Sequence, residues 1–533
     1  MNFSLTRRPA RMRRHITALG IGLLLSFAML LSACGSGSNA SSSGEYDPDG
    51  VFVRGVDLTF QGGISFDPAT IGPGWYGYVY PVTNSWLKID ENGEYVMDLA
   101  EEVTVANPTT VSVTMRPDLK FSNGETLDAQ AAINSIKRTI EAQPPGLRLS
   151  ELKLVNSMTI DSPTKFTIQL TEPRMALFYP LLADAETAPV SPKTISAPGN
   201  HNGDVITAGP FKLESFEPGA RVRMVKNDLY WNADNVKLAG IEYRHIGDGA
   251  AGMNGLRGGT IDFVAGLNLV SESDASALGG ALQGYSNRLP GTDSALFCMR
   301  EGEPLGDLRV RQALNYGTDR DRVNELYTGG KSEAAVGLVP SGHRLFAEDL
   351  ANAYPYDVQK AKDLLADAGY ANGLNLEAVV MPNESKHFEI LQAQWKEIGV
   401  DLQLTAATDL NEQWYQAKGA NGEVAGVPML RGIPGTFFRL LTSDAVSNAC
   451  SYPVPALDTC AEALAALDPA SDEFVAKAVE CQEIAFKDSA LTVNTIFILD
   501  NGGYNKSRIG DLPMQSDPLG QKQPDVTKLY MTR

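Results

Sequence analysis

The sequence predicts an α/β protein large enough for two lobes or three subdomains, and three observations carry that expectation. The first half alternates short apolar segments with Gly, Pro and Asp turns, and the second half repeats the order helix, turn, strand. About 500 residues remain once an N-terminal leader is set aside, more than one simple hydrophobic core accommodates.

The leader is read first. Arg7, Arg8, Arg11, Arg13 and Arg14 precede an apolar run from Ile16 to Leu31 that is too short and too abruptly ended for a membrane span. Leu31-Ser32-Ala33-Cys34 follows, with the small residues and cysteine of a bacterial lipoprotein signal, and then a Ser/Gly/Asn-rich tether from Gly35 to Gly44. Cleavage after residue 33 and lipidation of the Cys34 thiol are expected. Acyl chains, at about 0.8 kcal/mol per buried methylene, would then hold the mature chain on the outer face of the cytoplasmic membrane. The arginine pairs leave general and twin-arginine export both open. Losing the leader arginines makes the formal charge of −19 more negative still, which argues against nucleic acid or anionic lipid as the main partner.

Strands are expected at Val51 to Leu58, Val103 to Met115, Phe166 to Leu170, Phe211 to Phe216 and Arg221 to Lys226, all with apolar alternation. Between them, Thr126 can cap a helix running through Glu141, with Ile133, Ile136 and Ile140 on one face and Pro144-Pro145 beyond its end. In the second half Asp357 caps a helix whose Val358, Ala361, Leu364, Leu365 and Ala368 share a face, and Gly369 ends it. Phe388 to Ile398 forms another, followed by Gly399 and a strand from Val400 to Leu404. Leu491 to Leu499 is a nearly continuous apolar strand, and the last thirty or so residues lack strong periodicity. Crossings between lobes are placed near Pro290 to Phe297 and near Leu491 to Leu499.

Beyond Cys34 stand Cys298, Cys450, Cys460 and Cys481, which an exported chain can oxidise. Cys450 and Cys460 bracket a Ser/Tyr/Pro-containing loop and are the expected bridge, closing a loop worth about 3 kcal/mol. Cys298 lies in an apolar run and Cys481 on a helical pattern, so both are expected as buried thiols.

Catalytic and metal motifs are sought and not found. The five histidines, of which His15 leaves with the leader, form no H-E-x-x-H, and there is no C-x-x-C and no G-x-S-x-G. Gly247-Asp248-Gly249-Ala250-Ala251-Gly252 matches G-x-G-x-x-G, but the next strand-like piece, Thr260 to Val264, comes too soon for the crossover helix of a dinucleotide-binding unit. Gly329-Gly330-Lys331-Ser332 resembles the end of a P-loop, yet Glu325 stands where its first glycine belongs and the preceding segment is helical. The first is expected to be a plain turn and short helix, the second a loop after a helix. No cofactor and no catalysed reaction are expected.

What recurs is loop chemistry suited to a ligand cleft. Asp67-Pro68 precedes Gly72-Pro73-Gly74-Trp75-Tyr76, and Pro428 to Phe438 carries Arg431, Phe437 and Phe438, with Arg439 just beyond. Aromatic rings offer contact area at low entropic cost, and an arginine can hold a carboxylate bidentately. Trp75, Tyr76, Met381, Arg431 and Phe437 are the candidate ligand-binding residues. Trp75, Phe437 and Phe438 would serve equally well as core, and Arg431 as a solvated surface charge.

Several stretches together, in order and spacing, resemble the extracytoplasmic solute-binding proteins of peptide and nickel ABC transporters. They are Phe66-Asp67-Pro68, the run Met115-Arg116-Pro117-Asp118-Leu119-Lys120-Phe121-Ser122-Asn123-Gly124, Ala208-Gly209-Pro210-Phe211 with Asn227-Asp228-Leu229-Tyr230-Trp231, Arg309-Val310-Arg311-Gln312-Ala313-Leu314, Thr318-Asp319-Arg320, and Ala361 to Tyr370. The resemblance implies a bilobal fold like that of the type II periplasmic binding proteins, with an additional inserted subdomain. After the signal peptide (1–33) and tether (34–50), it implies an N-terminal lobe over 51–295 that includes the insertion at about 75–200. A second lobe over 296–490 follows, and a C-terminal segment over 491–533 returns to the first lobe. It further implies a small-molecule or peptide ligand held between the lobes, ABC permease subunits as partners, and a monomer.

Two departures bear on the ligand. Peptide binders of this family place an Asp before the Phe-Phe pair to hold the peptide ammonium, whereas Pro428 to Thr436 contains no acid, and Arg431 there suits an anionic or polar ligand. The stretch before Phe388 is shortened, which removes an Arg that would grip a peptide carboxylate. The resemblance also supports a cysteine pair soon after the loop, where Cys450 and Cys460 fall. The expected function is capture of oligopeptides or another small polar solute for an ABC importer. The alternatives are a surface lipoprotein using the same scaffold for signalling or adhesion, and an exported hydrolase.

Overall fold

The computed structural model describes residues 45–533 apart from 60–62, 72–74, 143–148, 197–203, 266–269, 431–434, 436, 444, 446–447 and 517–521. The leader, Cys34, Gly72-Pro73-Gly74 and Arg431 lie outside the described residues.

Two long strands, Leu282–Phe297 and Thr492–Asn505, run antiparallel through the middle of a ten-stranded sheet and belong to both halves of the molecule. Their apolar stretches are buried on both faces, which suits central strands. Their register breaks between Arg288 and Thr292, around Pro290, which has no N–H to give to a ladder. On one side the sheet continues through Val424–Leu430 to the parallel pair Leu374–Val380 and Val400–Ala406. On the other it continues through Phe263–Ala265, Val51–Val56 and Gly240–His245, all parallel, to the hairpin strands Arg221–Lys226 and Phe211–Glu217.

The helix Gly249–Arg257, capped by Asp248, carries the chain from one parallel neighbour of Val51–Val56 to the other. The short helix expected here is present, and although it has only nine residues it serves as a crossover between parallel strands, a role the spacing argues against. It fits because Gly252 lies against Val264 and Ile246, where a Cβ would come within 2.8 and 2.9 Å of their side chains. The glycine pattern thus serves close packing.

Residues 86–208 build a core of their own. The antiparallel sheet of Ala100–Asn107, Thr110–Met115, Lys165–Leu170 and Val155–Ser162 contributes to it, together with the amphipathic helix Ala129–Ala142. That helix starts later than Thr126: Asp128 is its cap, accepting from the Ala131 amide at 2.9 Å, while Thr126 pairs with Lys120 in a β-bridge. Asp357 caps the helix Val358–Asp367 as expected, and Gly369 follows it at φ 95°. The C-terminal residues, without periodicity of their own, add strands Met514–Ser516 and Lys522–Pro524 to the hairpin Leu87–Ile89 and Tyr95–Met97, and place Ile509, Leu529 and Met531 in the first half's core.

The expected Cys450–Cys460 bridge is not formed. Cys298 pairs with Cys450 and Cys460 with Cys481, at Cα separations of 5.3 and 5.6 Å, within disulfide reach. Cys460 lies on the buried face of helix Pro455–Ala465, which packs against helix Asp472–Gln482, and so meets Cys481. Cys450 lies beside the residue that follows the long strand, Cys298, and neither expected buried thiol is free.

The family-like stretches are structural devices. Gly209 lies so close to Val82 that a Cβ would sit 2.2 Å from its carbonyl oxygen, and Asn227 donates to the Gly209 carbonyl at 2.8 Å. Tyr230 and Trp231 both donate to Asp98, while the Arg116 guanidinium stacks 3.8 Å above the Trp231 ring. Arg320, fully buried, donates to the carbonyls of Ala335 and Asn494 and to the Asn315 side chain, tying the second half to the long strand Thr492–Asn505.

Candidate functional site

A cavity of about 430 Å³ lies between the two halves, a size typical of small-molecule sites. Its walls include the turn at 91–93, the stretch 286–290 of a long strand, the loop 339–345, Ala176 with Pro180, Pro469 with Phe474, and the C-terminal residues Ser516 and Lys522.

Each wall is held by local hydrogen bonding. The Asp90 carboxylate accepts from the amides of Asn92 and Glu94 at 2.8 and 2.9 Å, shaping the 91–93 turn, and Gly93 adopts φ 85°. A Cβ on Gly93 would lie 3.0 Å from His343 Nε2, so the glycine also makes room for that ring. In the facing loop the Leu345 amide donates to His343 Nδ1 at 3.1 Å, which places the proton of the neutral ring on Nε2. Burial, helped by the charges of Arg344 and Lys522, pushes the His343 pKa down to about 4, so the ring is neutral at pH 7.

The cavity is lined by three permanent cations. Arg288 is paired with Glu333, and Arg344 bonds Glu94 at 3.1 Å and the Pro469 carbonyl at 2.7 Å. Lys522 donates to Ser516 Oγ at 2.9 Å and to the Glu91 backbone carbonyl. Burial lowers the Lys522 pKa, while Glu91 and Asp90 oppose that shift. Glu91 is the one acidic residue among the described lining residues. The Arg344–Glu94 contact joins the halves across the cavity, and Arg174–Glu462, at 2.6 Å, makes a second bridge between them.

A second polar group lies buried at the ends of the second half's strands. The Thr495 hydroxyl donates to the Asp293 carbonyl at 2.9 Å and so accepts from His387 Nε2, while His387 Nδ1 faces Glu384 at 3.5 Å. Burial, and then the Glu384 charge, hold the Asp293 carboxyl well above the usual carboxylate range. Among the described residues no group of three or more His, Cys, Asp or Glu is arranged to hold a metal ion.

The sequence-based candidates are dispersed. Trp75 is buried in the first half's core with its ring 5.6 Å from Tyr78, and Phe437 is fully buried in the second half's core. Met381, half-buried, follows the strand Leu374–Val380 and caps the turn Pro382–Glu384. None of these three lines the cavity. Tyr76 opens the helical turn Tyr76–Val79. Pro428 to Leu430, read from sequence as loop, completes the strand Val424–Leu430 and pairs with Asp293, Thr292 and Gly291, because the apolar run before it fits between two other strands. Sequence reasoning missed Arg288, His343 and Lys522. No spacing links residues so far apart in the chain, and Lys522 falls in the terminal stretch that lacked periodicity.

Comparison with known proteins gives a consistent picture. A family model described as bacterial extracellular solute-binding proteins, family 5, middle, matches residues 94–427. The glutathione-binding protein GsiB of Shigella flexneri serotype 5b is 25% identical over 427 residues, 78% of each chain. Among solved structures, the ABC transporter substrate-binding protein CtaP of Listeria monocytogenes is 20% identical with a TM-score of 0.76, covering 91% of this chain and 100% of that one. The unliganded open form of the periplasmic murein tripeptide-binding protein MppA is also 20% identical, with a TM-score of 0.75, covering 92% and 99%.

Proposed function

Because this chain belongs to the bacterial extracellular solute-binding proteins, family 5, we propose that it is the lipid-anchored binding subunit of an ABC importer, capturing oligopeptides or another small polar solute between its lobes. The fold is the bilobal α/β fold of the type II periplasmic binding proteins. Residues 51–295 with 491–533 act as one lobe, carrying the 75–200 subdomain, and 296–490 act as the other. The observation that carries this reading is the cavity of about 430 Å³, walled by both halves at the register break of the strands that join them. Hinge closure around such a cavity desolvates a ligand and presents one closed shape to the permease. The similarity to a glutathione-binding protein and to a murein tripeptide-binding protein favours short peptides as the solute class. No chemical step is involved.

Cys34 anchors the mature monomer to the outer face of the membrane through its lipid. Among the described residues no helix is long and apolar enough to cross a membrane. The test is mass spectrometry of small molecules released on denaturing the full-length, detergent-solubilised protein after growth in rich medium. A stoichiometric peptide or polar solute is the expected result. An empty protein that also shows no thermal shift with a peptide library would overturn the proposal.

A further inference from the structure

Lys522 differs from the other cations of the cavity. Arg288 and Arg344 are each committed to a glutamate, Glu333 and Glu94, whereas the Lys522 ammonium is bound to two uncharged oxygens, Ser516 Oγ and the Glu91 carbonyl. An ammonium has three donors, and these contacts use two. No ion pair within 4.0 Å joins Lys522 to a carboxylate among the described residues, although the chain as a whole carries a formal charge of −19. A half-buried ammonium that feels Glu91 and Asp90 only from beyond ion-pair contact is incompletely neutralised inside a cavity of ligand size.

The neighbouring histidine adds a second donor. His343 shares the cavity wall with Lys522 and is close enough for the lysine charge to disfavour its protonation, and its Nδ1 is occupied by the Leu345 amide. Its Nε2–H is therefore a neutral donor in the same cavity as the ammonium, facing a residue, Gly93, with no side chain to cover it. A carboxylate, with two acceptor oxygens, suits a cavity that offers one charged and one neutral donor.

Taking the chain to be a binder of short peptides, as proposed above, we infer that this cavity seats a carboxylate of the bound peptide, held by Lys522 Nζ and His343 Nε2. These two residues then determine specificity: a solute carrying a free carboxylate binds, and its amide does not. Of the sequence-based candidates, Trp75, Met381 and Phe437 line no part of this cavity.

The test uses two pools of random tripeptides made of uncharged residues, one with free C-terminal carboxylates and one with C-terminal amides. Each is incubated with the full-length protein, and retained species are counted by mass spectrometry after gel filtration. The wild type is expected to retain the free acids at least tenfold over the amides. Lys522→Met is expected to bring that ratio close to one while still retaining some of both pools, which shows that it is folded. Lys522→Arg is expected to keep the preference, and His343→Gln to reduce it severalfold. Equal retention of the two pools by the wild type, or an unchanged preference in Lys522→Met, would overturn the carboxylate seat and leave the peptide-binding function standing. Retention of neither pool would overturn that function, and the inference with it.

Discussion

Replacing Arg138 by methionine should loosen the grip between helix Ala129–Ala142 and the segment around Asp67. Arg138 lies on helix Ala129–Ala142 and forms a bidentate pair with Asp67 at 2.6 and 2.7 Å, with Asp67 fully buried and Arg138 18% exposed. Breaking a buried pair by removing one partner costs about 3–5 kcal/mol, because the remaining charge is left in a poor solvent. Here the cost falls toward the lower end, near 3 kcal/mol, since the Ala69 amide still donates to Asp67 Oδ1 at 3.0 Å and the arginine side is partly open to water. At about 1.4 kcal/mol per factor of ten, that corresponds to more than a hundredfold faster opening. Hydrogen exchange read by mass spectrometry should show the increase in peptides spanning 129–142, with little change in 374–406. The double variant Asp67→Asn with Arg138→Met should recover much of the loss, since the stranded charge is gone. An exchange rate in 129–142 within threefold of the wild type would refute the argument.

Three further outcomes follow from the structure and a fourth from the sequence. Cys298→Ser with Cys450→Ser should cost about 2–5 kcal/mol in urea unfolding, and peptide mapping without reduction should recover the pairs Cys298–Cys450 and Cys460–Cys481; a Cys450–Cys460 peptide would contradict the fold. An unfolded histidine titrates near 6.5 but His343 near 4, held down by burial and by Arg344 and Lys522, so the native chain binds fewer protons in between. Stability present above pH 6.5 is then lost as the pH falls toward 4, by about 1.4 kcal/mol per unit at most, and His343→Gln should flatten that slope in urea titrations between pH 7.5 and 4.5. Gly209→Ala should yield insoluble protein, because its Cβ would press on the Val82 carbonyl; soluble expression with an unchanged Tm would contradict the close approach. Arg431→Ala should weaken ligand binding by about 1 kcal/mol or more in calorimetry if the residue serves the cleft, and unchanged affinity would remove it from the site.

The α/β character and the elements with strong local chemistry were legible in the sequence. Asp357 before an amphipathic run and Gly369 after it define a helix by themselves, because cap and terminator are local properties. Thr126 misled because Asp128, two residues on, competes for the same role with a better acceptor. The cysteine pairing was not legible, since it depends on which helix face meets which neighbour. Sequence proximity favoured Cys450 with Cys460, whereas Cys450 meets Cys298 across 152 residues of chain. The cavity was illegible for the same reason: Gly93, Arg288, His343 and Lys522 become neighbours only when the C-terminal strand joins the Leu87–Met97 hairpin. The Gly and aromatic residues that stood out in the sequence did so because they pack. Gly209, Gly252, Trp75 and Phe437 all serve cores or close backbone approaches.

The shared strand Thr492–Asn505 has a consequence for the order in which the chain is made. Phe263–Ala265 pairs on one side with Val51–Val56, and on the other only with a segment that follows it by more than two hundred residues. Until the last forty or so residues have been made, the first lobe presents an open sheet edge and lacks Ile509, Leu529 and Met531 from its interior. The first lobe to emerge is therefore the last to be completed. A chain stalled or clipped before residue 492 should leave its amino-terminal half exposed to periplasmic or surface proteases, even though every residue of that half is present.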